Sequence, residues 1–438
     1  MNLAFLTLLL GLISGPHPVE LSVNGPVAAV ELILDGISVR RIEGPPWTAQ
    51  VDFGPGLKPH ELVARAFDKE GLEVASIRQR VNLPRPKAEV EIALEGRAKG
   101  APTTARLTWK ILTGEAPSRF FVTFDGMPLE VDAGGRATLP SYDRDSAHIL
   151  TAEVAFPSLT IAHKDVVFGG QFGSEVSTEL TAVSVRLRKG AKMPPVEALQ
   201  GWFTAGGQTL PVAAVDEGGS AQLLVVRGPQ PPEVRMGLAS FGGRRGATKF
   251  ELQIGKADSI RFVSPVPRQF RAGDVQSDLF DISPPQSAKT GGLPWQILAL
   301  NPKTDHPQNG KRVADAVAVA GLHAVAENHR RAVLLLLGGD GSDASVYDPA
   351  VVRRYLALLR VPLIVWTLRG PEKTPAAAAW GPGTEVSTFS KLARAVAEVR
   401  EELEAQRIVW LEGRHLPQAI YLSPAADGVL EPLPGATP

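Results

Sequence analysis

The stretch Ala332–Asp340 reads AVLLLLGGD, and every residue from Val333 to Leu337 within it is apolar. Alternating apolar and polar residues would predict a strand with one buried face. A run that is apolar on both faces instead predicts a strand covered on both sides. Three further runs are largely apolar in this way, namely Gln222–Val226, Ser259–Val263 and Leu363–Leu368. Together these runs predict the strands of an open, mostly parallel sheet.

Helical patterns lie between these runs. The apolar residues within positions 352–359 recur at helical spacing, with Asp348 placed to cap the helix and Pro349 suited to its first turn. A second helix is predicted through Leu392–Leu403, and a third through Val313–Ala326. Apolar strands that alternate with amphipathic helices predict an α/β domain whose sheet is covered on both faces.

The N-terminal part of the chain has a different period. Short alternating strands and turn residues run from Val19 to Leu83, which is typical of a β-sandwich. Leu34-Asp35-Gly36 recurs as Phe124-Asp125-Gly126, and His60-Glu61-Leu62 recurs as His148-Ile149-Leu150. We therefore predict two related β modules, connected by the stiff segment Pro84-Arg85-Pro86.

The first β module resembles the immunoglobulin-like domains of bacterial secreted proteins. The residues that carry the resemblance are the LDG turn at 34–36, the PPW turn Pro45-Pro46-Trp47 and the strand His60–Asp68. The second module is similar to the first through the internal repeat. The resemblance implies two sandwiches of antiparallel sheets.

The α/β part resembles the von Willebrand factor A fold, in particular related domains of secreted bacterial proteins. Four segments carry the resemblance in the family's order: Gln222–Val226, Ile254–Val263, Ala332–Asp340 and Leu403–Leu411. The fold class expected is thus a multidomain β plus α/β protein, in which two immunoglobulin-like β-sandwich modules precede a Rossmann-like von Willebrand A-type open sheet.

The resemblance implies a Mg²⁺ site at the carboxyl edge of the sheet, where carboxylate and hydroxyl ligands should converge. The loop after the first strand, Arg227–Pro231, contains no such side chain, and Lys311-Arg312 stands near the threonine position. Asp340 alone has a plausible ligand role. We therefore predict a degenerate metal site without metal or cofactor, in which Arg227 pairs with Asp340.

The same edge is the predicted surface for a protein partner. Its candidate residues are Arg227, Gln230, Asp340, Ser342, Asp343 and Trp380. Trp380 is included because a large aromatic residue in the loop Ala379-Trp380-Gly381-Pro382 is a candidate contact residue. The loop 339–344 also has the spacing of a dinucleotide fingerprint, but the helix begins too late for that motif, at Pro349.

The N terminus predicts export. Leu3–Ile13 is an apolar run of signal-peptide length, followed by Ser14-Gly15-Pro16, although a basic residue before the run is lacking. The alternative is a buried N-terminal strand or helix. No other segment is long and apolar enough for a membrane span.

Composition narrows the function. The 438 residues contain 46 Lys and Arg and 46 Asp and Glu, so a nucleic-acid partner is not expected. Cysteine is absent from the chain, which excludes disulfides and thiolate zinc sites. A G-x-S-x-G or H-E-x-x-H motif is also absent.

We expect an exported, non-enzymatic binding or scaffold protein for a protein partner of unknown identity. One alternative is a secreted carbohydrate-active or hydrolytic enzyme with accessory β modules, and another is an intracellular interaction protein. The expected division is a signal peptide at 1–15, β modules at 16–84 and 85–182, a β connector at 183–218, the von Willebrand A-like domain at 219–412, and a C-terminal strand and tail at 413–438.

Overall fold

The computed structural model describes residues 2–433 except 8, 10, 85–87, 99–100, 112–114, 126, 145, 158–160, 170–179, 217–220, 228–257, 269–278, 288–309, 327–328, 338–342, 369–373 and 375. Four units pack together in this part of the chain. Module 1 spans residues 2–83, module 2 spans 88–169, module 3 combines 180–216 with 406–433, and the α/β domain spans 221–405.

The strands, in chain order, are β1 (Asn2–Phe5), β2 (Pro16–Asn24), β3 (Ala29–Leu34), β4 (Ile37–Ile42), β5 (Thr48–Asp52), β6 (His60–Phe67), β7 (Glu73–Val81), β8 (Ala88–Ala98), β9 (Ala101–Ile111), β10 (Arg119–Phe124), β11 (Met127–Leu129), β12 (Arg136–Thr138), β13 (Ala147–Ala155), β14 (Ile161–Gly169), β15 (Leu180–Leu187), β16 (Phe203–Ala205), β17 (Gln208–Leu210), β18 (Val212–Asp216), β19 (Ala221–Arg227), β20 (Ser259–Pro267), β21 (Phe280–Ile282), β22 (Gln286–Ser287), β23 (Arg330–Leu337), β24 (Leu363–Thr367), β25 (Thr384–Glu385), β26 (Gln406–Glu412), β27 (Ile420–Leu422) and β28 (Leu430–Pro432). The α-helices are α1 (Val313–Ala324), α2 (Pro349–Leu358), α3 (Ala377–Trp380) and α4 (Phe389–Ala405).

Modules 1 and 2 have the same topology. Module 1 packs the sheet β1-β2-β5 against β4-β3-β6-β7, and module 2 packs β8-β9-β12 against β11-β10-β13-β14. Each strand of module 1 therefore has a counterpart in module 2 at the same place in the order. Two antiparallel sheets around one core are the arrangement of immunoglobulin-like domains. The prediction of two such β modules is confirmed.

The repeated Asp-Gly turns occupy equivalent positions in the two modules. Asp35 begins the β3–β4 turn with φ 51°, and Asp125 takes φ 49° between β10 and β11. The Asp35 carboxylate accepts the backbone N–H of Glu61 in β6 at 2.9 Å. The Asp125 carboxylate accepts the backbone N–H of Ile149 in β13, also at 2.9 Å. Left-handed backbone suits Asp because its short polar side chain bonds locally. The repeat seen in the sequence is therefore one conserved local structure used twice.

Part of the N-terminal apolar run is buried in module 1. β1 pairs with β2, and Leu3, Leu9 and Ile13 are buried in the module's core. This arrangement agrees with the alternative prediction, a buried N-terminal strand. The structure gives no support to the predicted signal peptide at 1–15, because removal of these residues would also remove β1.

Module 3 consists of two distant stretches of chain. The sheet β18-β26-β15-β28 packs against β17-β16-β27 around Val185, Leu199, Phe203 and Leu411. The pattern of Leu403–Leu411 predicted a closing element of the α/β sheet. In the structure, β26 pairs instead with β15 and β18, so this assignment is wrong.

The C-terminal tail is also part of module 3. β28 pairs with β15, and Leu433 is fully buried. The expected connector and the expected C-terminal strand thus form one sandwich, and the α/β domain is inserted between its strands β18 and β26.

The α/β domain contains the four apolar runs as neighbouring parallel strands. Its seven-stranded sheet has the order β21-β20-β19-β23-β24-β25, in which β20, β19, β23, β24 and β25 are parallel and β21 is antiparallel, while the two-residue strand β22 also pairs antiparallel with β20. Helices α1 and α2 cover one face and α4 covers the other. The helix predicted after Asp348 begins at Pro349, as expected.

Candidate binding edge of the α/β domain

The two ends of the parallel sheet are in different surroundings. At the amino edge, the Gln406 side chain accepts the backbone N–H of Arg331 at 2.8 Å and donates to the Arg331 carbonyl at 2.9 Å. Arg360, after α2, donates to the carbonyl oxygens of Pro417 and Ile420. Module 3 therefore lies against the amino edge.

Buried arginines mark this junction. Burial, together with the neighbouring Arg360 guanidinium, lowers the pKa of Arg331 to about 9. Burial likewise lowers the pKa of Arg360 to about 10. The C-terminal ends of α1 and α2 lie at this edge, and their carbonyl groups favour nearby positive charge. We interpret the arginines as parts of a structural junction.

The carboxyl edge is where β19 ends at Arg227 and β23 ends at Leu337. Strand order reverses between these two neighbours, because β20 lies on one side of β19 and the later strands lie on the other. Open α/β sheets bind ligands in the crevice outside the carboxyl ends of the strands at such a point. The carboxyl edge is therefore the candidate site.

Asp343 caps the helix that begins at this edge. Its Oδ1 accepts the N–H of Val313 at 2.9 Å, and its Oδ2 accepts the N–H of Ala314 at 3.1 Å. Ser345 adds two bonds to Oδ1, from its N–H at 3.0 Å and from its hydroxyl at 2.6 Å. A carboxylate at a helix N-terminus satisfies unpaired N–H groups and complements the helix dipole. Asp343 thus fastens the loop before α2 to the start of α1.

Asp315 is the second anchor of this edge. It is only 1% exposed, and Oδ2 lies 2.6 Å from Nε of Arg312. Its carboxylate also accepts the N–H of Val346 at 3.0 Å and of Tyr347 at 3.2 Å. The N–H of Asp315 itself bonds to the hydroxyl of Ser345 at 3.1 Å. Arg312 is therefore an ion-pair partner of a buried carboxylate.

Sequence reasoning predicted Asp343 at this edge but missed Asp315 and Ser345. Arg312 and Asp315 are three residues apart at a helix start, and this spacing could have indicated a pair. The contacts between Asp315 and residues 346–347 join segments that are some thirty positions apart, and local spacing does not predict such contacts.

The other predicted site residues have different outcomes. Arg227 ends β19 and is buried, with 5% of its surface exposed. Gln230, Asp340 and Ser342 lie outside the described residues, so the proposed pairing of Arg227 with Asp340 stays a prediction. Trp380 is 4% exposed and belongs to the core that α1 and α2 share with the sheet. Its interpretation as an exposed contact residue is wrong, because α3 directs the ring into that core.

A second group of titratable side chains lies in module 2. Nε2 of His163 is 2.6 Å from Oδ2 of Asp165, and Nδ1 is 3.6 Å from Oε1 of Glu153. Burial lowers the pKa of His163, but the two carboxylates outweigh it and raise the pKa to about 10. The imidazolium in turn lowers the pKa of Glu153. The imidazolium offsets one of the two carboxylate charges, and the three groups form a structural ion cluster.

A polar groove of about 120 Å³ separates modules 1 and 3. Its lining residues are Asp35, Gly36, Glu61, Arg80, Arg414, His415 and Leu416.

In the described ranges, no group of three or more His, Asp or Glu residues is arranged to hold a metal ion. No helix in the described part of the chain has the length and apolar character that a bilayer span requires.

Comparison with known sequences gives no match, either to a protein family or to a curated protein. Among solved structures, the fibronectin(III)-like modules of Clostridium thermocellum CbhA share 14% identity over 38% of this chain and 93% of theirs, with a TM-score of 0.16. The central fibronectin-III array of RIM-binding protein shares 12% identity over 44% of this chain and 80% of its own, with a TM-score of 0.21. A β-glycosidase from Bacteroides vulgatus shares 17% identity over 38% of this chain and 24% of its own, with a TM-score of 0.22. The assignment of modules 1 and 2 rests on their strand order.

Proposed function

We propose that this chain is a non-enzymatic binding or scaffold protein that presents the carboxyl edge of a von Willebrand A-type domain to a protein partner. The observation that carries the proposal is the use of the acidic residues at this edge. Asp343 holds the start of α1, and Asp315 is buried against Arg312. The oxygens of these carboxylates already accept hydrogen bonds that hold the loops in place, so few oxygen ligands remain for Mg²⁺.

Strand order supports the von Willebrand A-type assignment. With β19 taken as the first strand and the two-residue β22 left out of the count, the sheet reads third, second, first, fourth, fifth, sixth, and its third strand is antiparallel. A sheet of this order with helices on both faces is a doubly wound α/β fold. Because such folds serve many functions, the function is argued from the edge itself.

A scaffold role is favoured by the way the four units contact one another. Leu57 of module 1 is part of the core on the α1 and α2 side of the sheet. Gln418 of module 3 donates to the carbonyl oxygen of Pro59 in module 1 at 2.8 Å. Domains with such buried contacts hold a binding surface in a fixed position.

Export stays a prediction. The N-terminal run no longer supports it, since Leu3, Leu9 and Ile13 of that run are buried in the core of module 1.

The test uses the exposed edge residue Val346, whose side chain is 70% exposed. Wild type, Val346→Glu and the control Leu72→Glu, which alters a 66% exposed residue of module 1, would serve as baits in quantitative pull-downs. The proposal expects a protein retained by wild type and Leu72→Glu, with or without a chelator, and lost with Val346→Glu. Capture that depends on Mg²⁺, or that Val346→Glu leaves intact, would contradict the proposal.

A further inference from the structure

The N-terminal segment, residues 2–14, completes the outer edge of one sheet of module 1. β1 pairs only with β2 in the order β1-β2-β5, with Leu3 opposite Val23. An edge strand can leave a sheet without breaking the remaining ladder. The segment is followed by Gly15, whose φ of 71° lies in the left-handed region that glycine adopts readily.

One buried side chain of module 1 holds the end of this segment. Asn82 is 2% exposed, and its Oδ1 accepts the N–H of Ile13 at 2.7 Å. Its Nδ2 donates to the carbonyl oxygens of Ile13 at 2.7 Å and Lys58 at 2.8 Å. Departure of the segment would leave Asn82 with its bond to Lys58 only, so that Oδ1 would lose its partner in a buried place, which is unfavourable.

The same asparagine is bonded to the α/β domain. Tyr355 of α2, which is fully buried, donates from its hydroxyl to the carbonyl oxygen of Asn82 at 2.8 Å. Tyr347, just before α2, lies 3.3 Å from the carbonyl oxygen of Leu12 and 3.2 Å from the hydroxyl of Ser14. The segment is therefore in contact with both units at once.

We propose that residues 2–14 form a displaceable strand that fastens module 1 to helix α2. While the strand is bound, Leu3, Leu9 and Ile13 contribute to the core of module 1. The bound strand also positions Asn82, whose carbonyl oxygen accepts the hydrogen bond from the Tyr355 hydroxyl. When it leaves, module 1 loses an edge strand, Tyr347 loses its contacts with Leu12 and Ser14, and the bond from Tyr355 of α2 to Asn82 is weakened. Loss of the strand therefore lowers the stability of α2, the helix that runs from the carboxyl edge to the amino edge of the sheet.

The first experiment removes and restores the strand. A specific protease site inserted between Gly15 and Pro16 of the full chain allows cleavage after folding. Hydrogen exchange of α2 would be measured with the strand bound, after its removal, and after addition of a synthetic peptide of residues 1–15. The control peptide carries Leu9→Asp and Ile13→Asp.

The proposal expects faster exchange in α2 and β7 after removal, and recovery with the native peptide but not with the control peptide. Unchanged exchange in α2 after removal, or equal recovery with both peptides, would overturn it.

A second experiment needs no cleavage. In the full chain, Tyr355→Phe removes only the hydroxyl that bonds to Asn82, and Tyr421→Phe removes an exposed hydroxyl as the matched control. The proposal expects exchange of residues 9–14 to become about tenfold faster in Tyr355→Phe, as expected for loss of one bond to a buried carbonyl. Faster exchange confined to α2, with residues 9–14 unchanged, would show that the strand and the helix are not coupled.

Discussion

Nδ1 of His148 lies 2.6 Å from Oδ2 of Asp125, and Nε2 of the same ring lies 2.6 Å from the carbonyl oxygen of Asp143. A ring with an oxygen acceptor at each nitrogen donates from both, which only the imidazolium can do. Burial lowers the pKa of His148, but the bonds to Asp125 and Asp143 outweigh it and raise the pKa above its ordinary 6.5. The ring also stacks on Phe124, with the centroids 5.1 Å apart.

This arrangement predicts a pH dependence of stability. Since the folded-state pKa is higher than the unfolded value, the stabilisation is complete below about pH 6.5 and is lost as pH rises through the folded pKa. We expect His148→Gln to remove this part of the pH dependence when thermal unfolding is followed across that range. Asp125→Asn keeps the acceptor for Ile149 and should move the loss to lower pH. An unchanged pH profile in His148→Gln would contradict the prediction.

The pair of Arg312 and Asp315 should be structural. Arg312→Ala leaves the carboxylate of Asp315 buried without its counter-charge, so we expect a loss of about 3 kcal/mol in the free energy of unfolding. The double variant should lose less than the sum of the two single variants in denaturant unfolding. The control pair is Arg394 and Glu398, whose side chains are 83% and 48% exposed, and it should show a coupling of about 0.5 kcal/mol or less. Simple additivity at Arg312 and Asp315 would show that the pair contributes nothing specific.

Divalent metal should not affect the stability of the fold. A ligand that binds only the native state raises the unfolding temperature by mass action. We therefore expect the same melting temperature in Mg²⁺, in Mn²⁺ and in a chelator. An increase of several degrees in millimolar Mg²⁺ would reveal a site, and loss of that increase in Asp340→Ala would show that Asp340 belongs to it.

Trp380 should contribute to stability and not to partner binding. Truncation of a buried aromatic side chain leaves a cavity, so we expect Trp380→Ala to cost about 3–5 kcal/mol of unfolding free energy. Trp380→Phe should cost less because it leaves a smaller cavity. Denaturant unfolding checks both values. A Trp380→Ala variant as stable as wild type would mean that the ring is not part of the core.

Local sequence patterns determined the elements and several of their boundaries. The apolar runs form strands β19, β20, β23 and β24, and α2 begins at Pro349. The recurrence of Asp-Gly and His also predicted that modules 1 and 2 are equivalent. Such features depend on backbone preferences and on the burial of nearby residues, which the sequence carries directly.

The candidate site was predictable only in part. Asp343 was identified as part of the edge, but its role as a cap on α1 depends on a contact with Val313, thirty positions away. An aromatic residue beside Gly and Pro is compatible with an exposed loop and with a buried short helix. The choice for Trp380 was made by the neighbouring helices that cover it.

Only the tertiary structure decided which partners the elements take. Leu3–Ile13 has the composition of an export signal, yet its residues Leu3, Leu9 and Ile13 are buried in the core of module 1. Leu403–Leu411 has the pattern of a closing strand of the α/β sheet, yet β26 pairs with β15. An apolar pattern predicts that a segment is buried, but it does not predict the surface that covers the segment, because the hydrophobic effect is non-directional. Which surface does so depends on contacts between residues far apart in the chain, as between Ile13 and Asn82, and no local period records such contacts.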